Sequence, residues 1–71
     1  MESTTLLAVG GFTFPCDGYV INDNPSVVGG YLQGSNKLSA LWLSPYCRIF
    51  VKKGMYANIS EANTIYWLPF T

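Results

Sequence analysis

The sequence predicts an all-β fold, a small antiparallel β-sandwich or jelly-roll-like barrel of about seven to eight short strands. Three observations support this prediction. Short runs of β-branched, aromatic and aliphatic residues recur along the chain. Clusters of Gly, Pro, Asn, Asp and Ser interrupt these runs roughly every 8 to 12 residues, and no segment has the spacing of an amphipathic helix. With no internal linker, repeat or low-complexity tract, residues 1–71 are expected to form a single domain.

The first half of the chain contains four predicted strand segments. A tight turn separates the second from the third, because Pro15 presets φ, Asp17 can bond its own backbone and Gly18 can adopt a positive φ. The paired glycines Gly29 and Gly30 indicate a bulge or the close approach of another backbone, as at a symmetry axis, with simple strand flexibility as the alternative. The segments are residues 4–9, 12–14, 19–22 and 27–33.

The second half contains four more predicted segments. Alternation along the first of them assigns Trp42 to a firmly buried face together with Leu38 and Ala40. Leu41 and Leu43 make the opposite face partly apolar, so coverage on both sides is expected. In the second segment Cys47, Ile49 and Val51 are expected to face inward. The segments are residues 38–43, 47–52, 55–59 and 64–70.

The composition favours a subunit of an assembly. A 71-residue monomer buries only about 60% of its unfolded surface, which leaves its stability marginal. Charged residues make up 11% of the chain, against roughly 25% in ordinary soluble domains, while 49% of residues are hydrophobic. A homo-oligomer is therefore expected, with a monomer covered by Asn, Ser and Thr as the alternative. The aromatic residues expected in the core or in an interface are Phe12, Phe14, Trp42, Phe50, Tyr66, Trp67 and Phe70.

The residue types disfavour catalysis, cofactors and metal ions. The chain has no histidine, and its four acidic residues are expected in turns or at the terminus, with no two on one strand face at acid/base spacing. No glycine-rich loop followed by Lys and Ser or Thr occurs in the sequence. We expect no enzyme activity and no catalytic, cofactor-binding or metal-binding residues. The acidic residues are Glu2, Asp17, Asp23 and Glu61.

Nucleic acid and membranes are not expected as partners. Four basic residues balance four acidic ones, which is too few for a stripe of cations along a phosphate backbone. No run of 18 apolar residues is present, and the amino terminus lacks the basic start of a secretion signal. The protein is therefore expected to be made in a cytoplasm. The basic residues are Lys37, Arg48, Lys52 and Lys53.

The two cysteines, Cys16 and Cys47, are expected to be reduced and semi-buried, because a cytoplasm opposes disulfides and Cys packs as a small apolar residue. Their spacing alone leaves a disulfide open as the alternative. Neither is expected to act as a nucleophile, since the chain has no histidine to lower a thiol pKa.

Three motifs occur in a characteristic order: FTFPCDGYV at residues 12–20, VKKG at residues 51–54 and WLPF at residues 67–70. This order, from about residue 7 to residue 70, resembles the small β-sandwich head domains of bacteriophage fibre, appendage and capsid decoration proteins. Met55 follows Gly54 where Asp is commonest in those heads. The matching positions are Pro15, Asp17, Gly18, Val51, Lys53, Gly54, Pro69 and Phe70.

The resemblance implies a jelly-roll-like homotrimer on a virion surface, made in the host bacterial cytoplasm. Because no fibre shaft precedes the motifs, a capsid decoration protein, a head fibre or a small tail or collar subunit is favoured over a tail fibre. Other virion proteins are the expected partners, and a host-surface glycan is a further candidate. The alternative is a small phage-encoded binding module that inhibits a host protein or adsorbs carbohydrate through exposed Tyr31, Tyr46, Tyr56 or Trp67.

Overall fold

The computed structural model describes residues 4–34 and 40–70, and within these ranges the regular secondary structure consists of eight strands in two antiparallel sheets. The predicted all-β sandwich is confirmed. Within the predicted segment 38–43, residues 38 and 39 and the Ala40 side chain lie outside the described part, as does Glu2. The strands are β1 (Thr5–Leu6), β2 (Gly10–Thr13), β3 (Gly18–Asn22), β4 (Gly30–Gln33), β5 (Ala40–Trp42), β6 (Arg48–Val51), β7 (Tyr56–Ile59) and β8 (Ile65–Pro69).

The strand pairing follows a simple rule. β1 pairs with β8, β2 with β7, β3 with β6 and β4 with β5, so the chain is one long hairpin folded between β4 and β5. This hairpin is wrapped so that β3 also pairs with β8 and β4 with β7. Sheet A has the order β1-β8-β3-β6 and sheet B the order β2-β7-β4-β5, which is jelly-roll connectivity.

The first and fourth predicted segments form strands that are shorter than predicted by at least three residues. The segment at residues 4–9 forms a strand only at Thr5–Leu6, because the chain leaves sheet A there and enters sheet B at Gly10. The segment at residues 27–33 forms a strand only from Gly30. Asn24 Oδ1 accepts hydrogen bonds from the backbone N–H groups of Ser26 and Val27, which holds the preceding residues in a loop.

The core lies between the sheets and contains three packed aromatic rings. Phe14 and Trp67 are buried with ring centroids 4.8 Å apart, and half-buried Phe12 lies 5.1 Å from Phe14 and 6.3 Å from Trp67. Such pairs add about 0.5–1.5 kcal/mol beyond area burial. The other buried apolar residues are Leu7, Val20, Leu32, Leu43, Val51, Ala57, Ile59 and Ile65.

Two glycines give the strands room. A Cβ at Gly18 would collide with the Trp67 indole and the Leu68 carbonyl, so only glycine lets this ring pack against β3. Gly30 has φ +138°, and a Cβ there would meet the Asn58 carbonyl of β7. The predicted close approach of another backbone thus occurs within the chain.

Trp42 lies on the opposite face from the one predicted. It is 62% exposed, and its register partner Tyr31 is on the outer face of sheet B. Leu41 pairs with buried Leu32 and therefore lies on the inner side of β5, although it is 54% exposed at this sheet edge. Leu43, just after the strand, is buried. Alternation separates the two faces of this strand but does not show which one is buried. The buried face is decided by the neighbouring strand β4, where Leu32 lies in the core and Tyr31 lies outside.

A buried carboxamide ties the sheets together at one end of the sandwich. Asn22 is 0% exposed, and its Nδ2 donates to the carbonyls of Leu43 at 2.9 Å, Val27 at 3.0 Å and Ser44 at 3.1 Å. Its Oδ1 accepts from the backbone N–H of Asn24 at 2.9 Å. One side chain of sheet A therefore satisfies backbone groups in the loops that lead into and out of sheet B.

We expect Asn22→Ala to lower the free energy of unfolding by about 3 kcal/mol, because several carbonyl oxygens lose a buried donor. Asn24→Ala is the matched control, since its acceptor serves exposed N–H groups and its loss should cost about 1 kcal/mol. Urea unfolding of both variants measures the difference. Equal losses would contradict the assigned role of Asn22.

The two tryptophans should respond oppositely to truncation. Trp67→Ala should cost about 3–5 kcal/mol, because it removes a ring that is 5% exposed from the centre of the core. Trp42→Ala should cost less than about 1 kcal/mol, because most of that ring already contacts solvent. Thermal unfolding followed by circular dichroism distinguishes them, and similar losses would show that the burial assignment is wrong.

Candidate functional site

The motif residues at positions 15–18, 51–54 and 69–70 converge at one corner of the sandwich. Asp17 Oδ1 accepts from the backbone N–H of Lys53 at 2.9 Å, although 36 positions separate the two residues. The Phe70 N–H donates to the Asp17 carbonyl at 2.8 Å, and Gly54 N–H donates to the Phe14 carbonyl at 2.9 Å. We call this set of contacts the Asp17 corner.

The Asp17 corner holds together two turns and the segment that follows β8. The β2–β3 turn and the β6–β7 turn each carry the chain from one sheet to the other, and the segment after β8 joins them. Gly18 lies opposite both Val51 and Pro69 in the ladders of sheet A. The Asp17 corner consists of backbone N–H groups, backbone carbonyls and one exposed carboxylate. The motif residues therefore have a structural role in holding the turns together. Pro15, Asp17, Gly18, Lys53, Gly54 and Pro69 make up the predicted framework and lie together here.

Asp17→Ala should destabilise the protein by about 1 kcal/mol, because the Lys53 N–H loses its acceptor at an exposed site. Asp17→Asn should cost less, since an amide oxygen can accept the same bond. Hydrogen exchange at the Lys53 amide is the direct measurement, and exchange should accelerate more in Asp17→Ala than in Asp17→Asn. Unchanged protection of that amide in Asp17→Ala would contradict the assignment.

The outer face of sheet A is almost entirely apolar. Alternation along β3 and β8 turns Val20, Asn22, Ile65 and Trp67 into the core and leaves the residues between them outside. The outward positions across the four strands are Leu6, Tyr19, Ile21, Arg48, Phe50, Tyr66 and Leu68, with Phe70 beside them. Arg48, on edge strand β6, is the one charged member of this set. We call these eight residues the sheet A outer face.

Three rings cluster at one end of the sheet A outer face. Tyr19 lies 6.1 Å from Phe50 and 5.3 Å from Phe70, and Phe50 and Phe70 lie 6.0 Å apart, between ring centroids. Phe50 is 45% and Phe70 48% exposed. These two predicted aromatic residues therefore lie outside the core of the subunit, and Tyr66 on the same face is half-buried.

The outer face of sheet B has a different character. One row across the sheet is Gly11, Asn58, Tyr31 and Trp42, and the next row is Thr13, Tyr56 and Gln33. Asn58 Nδ2 donates to the Tyr31 hydroxyl at 3.4 Å, and the rings of Tyr31 and Trp42 meet edge to face at 5.9 Å. We call these seven residues the sheet B outer face.

The sequence missed most of the sheet A outer face. From the sequence, Tyr19, Ile21 and Leu68 are placed in strands but assigned to no surface. In β3 and β8, however, apolar residues occupy nearly every position and not only alternate positions. Such continuous apolar runs are typical of strands covered on both sides. This signal was available in the sequence and indicates the same surface.

The cysteines lie at opposite ends of β3. Cys16 precedes its first residue by two positions, and the Cys47 carbonyl accepts from Asn22 N–H at its last residue. The four steps from Gly18 to Asn22 along β3 cover about 13 Å, well beyond the Cα separation of about 7 Å that a disulfide tolerates. Both are free thiols, as the sequence predicted. Desolvation by burial raises the pKa of the Cys47 thiol, partly offset by backbone hydrogen bonds from Asn22 and from Cys47 itself, so this thiol is disfavoured as a nucleophile.

Residues 4–34 and 40–70 show neither a metal-binding cluster nor a membrane-spanning helix. No three histidine, cysteine, aspartate or glutamate side chains lie close enough to hold a metal ion. In the same ranges no helix has the length and hydropathy to cross a membrane. A scan against protein-family models, a search of curated proteins and a search of solved structures each found no match.

Proposed function

We propose that this chain is a structural component of a bacteriophage virion, which assembles as a homotrimer by packing sheet A outer faces around a threefold axis. A capsid decoration protein, a head fibre and a small tail or collar subunit all fit this role. The sheet A outer face is the observation that carries the proposal. The motifs now joined in the Asp17 corner supply the link to phage head domains.

The two central strands of sheet A support burial on both sides. Tyr19 and Ile21 on β3, and Tyr66 and Leu68 on β8, alternate with residues that are fully in the core. A strand of a solvated antiparallel sheet normally carries polar residues at those positions. An apolar face from edge to edge is typical of protein interaction surfaces, because its burial releases about 25 cal/mol per Å².

The apolar character reaches both edges of the sheet, which suits a cyclic trimer. Leu6 lies on edge strand β1, 42% exposed, and Phe50 lies on the opposite edge strand β6. In a ring of three, each subunit meets its two neighbours through two different patches. The β1 margin of one copy can therefore meet the β6 margin of the next, while the central strands face the axis.

We expect Phe50→Lys and Leu6→Lys each to raise the dissociation constant of the oligomer at least about tenfold, because each buries a charge in an apolar contact. Val9→Lys is the matched control, as Val9 is an exposed apolar residue in the β1–β2 connection and not on the sheet A outer face. Light scattering across a concentration series measures the native mass. Circular dichroism checks that the subunits remain folded.

A monomeric wild type at every concentration would overturn the assembly role, and a dimer would overturn the threefold axis. Equal effects of Val9→Lys and Phe50→Lys would show that the sheet A outer face is not the contact. The virion role has its own test, which is mass spectrometry of gradient-purified phage particles from a phage that encodes the chain. Absence of the chain from those particles would contradict it.

A further inference from the structure

We propose that the sheet B outer face binds a neutral saccharide, with the rings of Trp42 and Tyr31 as a stacking platform and Asn58 as a hydrogen-bonding group. This inference does not depend on the assembly proposal, because it uses the opposite side of the sandwich. In an oligomer packed through sheet A, each subunit would present one such face outward.

The aromatic platform is built on neighbouring strands. Trp42 and Tyr31 are register partners on β5 and β4, with ring centroids 5.9 Å apart and planes at 75°. The Trp42 indole is 62% exposed, whereas Trp67 is 5% exposed. A large ring left in solvent on a hydrogen-bonded strand offers an apolar, π-rich surface to a ligand.

Polar groups lie next to the aromatic rings, where they could form hydrogen bonds with a ligand stacked on the rings. Asn58 is the register partner of Tyr31 on β7 and donates to its hydroxyl at 3.4 Å, so the amide and the phenol form one polar edge beside the platform. Tyr56 extends across the strand ladder over Gly11, where a Cβ would meet its hydroxyl. Gly11 thus lets this ring lie along the sheet, and the face stays shallow and open.

The chemistry of this face selects a saccharide over other ligands. A pyranose presents C–H groups on its ring faces, which pack on the negative face of an aromatic ring, and hydroxyls at its rim, which pair with amides and phenols. None of the seven residues of the sheet B outer face is Lys, Arg, Asp or Glu. A phosphate backbone or a uronic acid would find no countercharge there, which favours a neutral ligand.

A protein partner fits this face less well than a sugar. In the sheet A outer face, aliphatic and phenylalanine side chains lie next to Tyr19 and Tyr66, and no carboxamide is among its eight residues. The sheet B outer face instead combines aromatic rings with one carboxamide in each row, Asn58 and Gln33, and with hydroxyl groups. A flat, one-sided site of this kind binds weakly, with dissociation constants on the order of 1 mM for a disaccharide.

Acrylamide quenching of tryptophan fluorescence tests the proposal on the whole protein. Quenching reports Trp42, since Trp67 is buried. The probes are maltose, cellobiose, lactose and N,N′-diacetylchitobiose, with a sulfated disaccharide and oligo-dT as charged comparisons. At least one neutral disaccharide should protect Trp42 and shift its emission to the blue, while the charged probes should not.

Variants then locate the contact by calorimetry with the disaccharide that binds. Trp42→Ala should weaken binding at least about tenfold, and Tyr31→Phe and Asn58→Ala by several-fold. Tyr46→Asn is the control, because it removes a 68% exposed ring from the β5–β6 connection at φ +55°, which Asn tolerates. Because Trp42 is exposed, its variant should stay folded, and circular dichroism verifies this.

Three results would overturn the proposal. They are the absence of protection by every neutral disaccharide, undiminished binding in Trp42→Ala, and equal loss in Tyr46→Asn. Quenching that increases on dilution without any sugar would mean that copies of the chain cover Trp42, and this would also refute the site. A monomeric protein that still binds cellobiose through Trp42 would uphold this inference while the assembly role failed.

Discussion

The buried amide of Asn22 is the interaction on which the joining of the two sheets depends. It ends β3, the strand that pairs with both β6 and β8, and its donors reach carbonyls in the loops beside β4 and β5. A leucine of similar volume would fill the space, but it would remove the donor to the Val27 carbonyl and the second donor to the carbonyls of Leu43 and Ser44. At the other end of β3, Asp17 holds the β6–β7 turn. One strand is therefore fixed by a polar side chain at each end.

The sequence predicted the strands well because turn residues act locally. Pro15, Asp17 and Gly18 end one strand and begin another by their own backbone preferences. Sheet membership is not local, since a strand's partner can lie anywhere in the chain. For this reason the exposure of Trp42 and the role of Asn22 could not be predicted from alternation or turn composition. Both depend on which strand lies opposite.

The two outer faces differ although the sheets share one core. The central strands of sheet A are apolar on both sides, and those of sheet B alternate apolar residues inside with Tyr, Asn and Gln outside. In this small domain, each outer face carries a distinct chemistry. The apolar face gains free energy by being covered, whereas the polar aromatic face is already hydrated and costs little to leave open.

The nested pairing of the strands has a consequence for biosynthesis. Among the described strands, β4 and β5 are the one consecutive pair that shares a sheet, so every other ladder closes a long loop. Such topologies fold slowly, because loop entropy is lost before contacts form. β1 and β3 are each bonded to β8 and not to one another. The β3–β6 ladder can form earlier, but sheet A cannot be completed until residues 65–69 have left the ribosome.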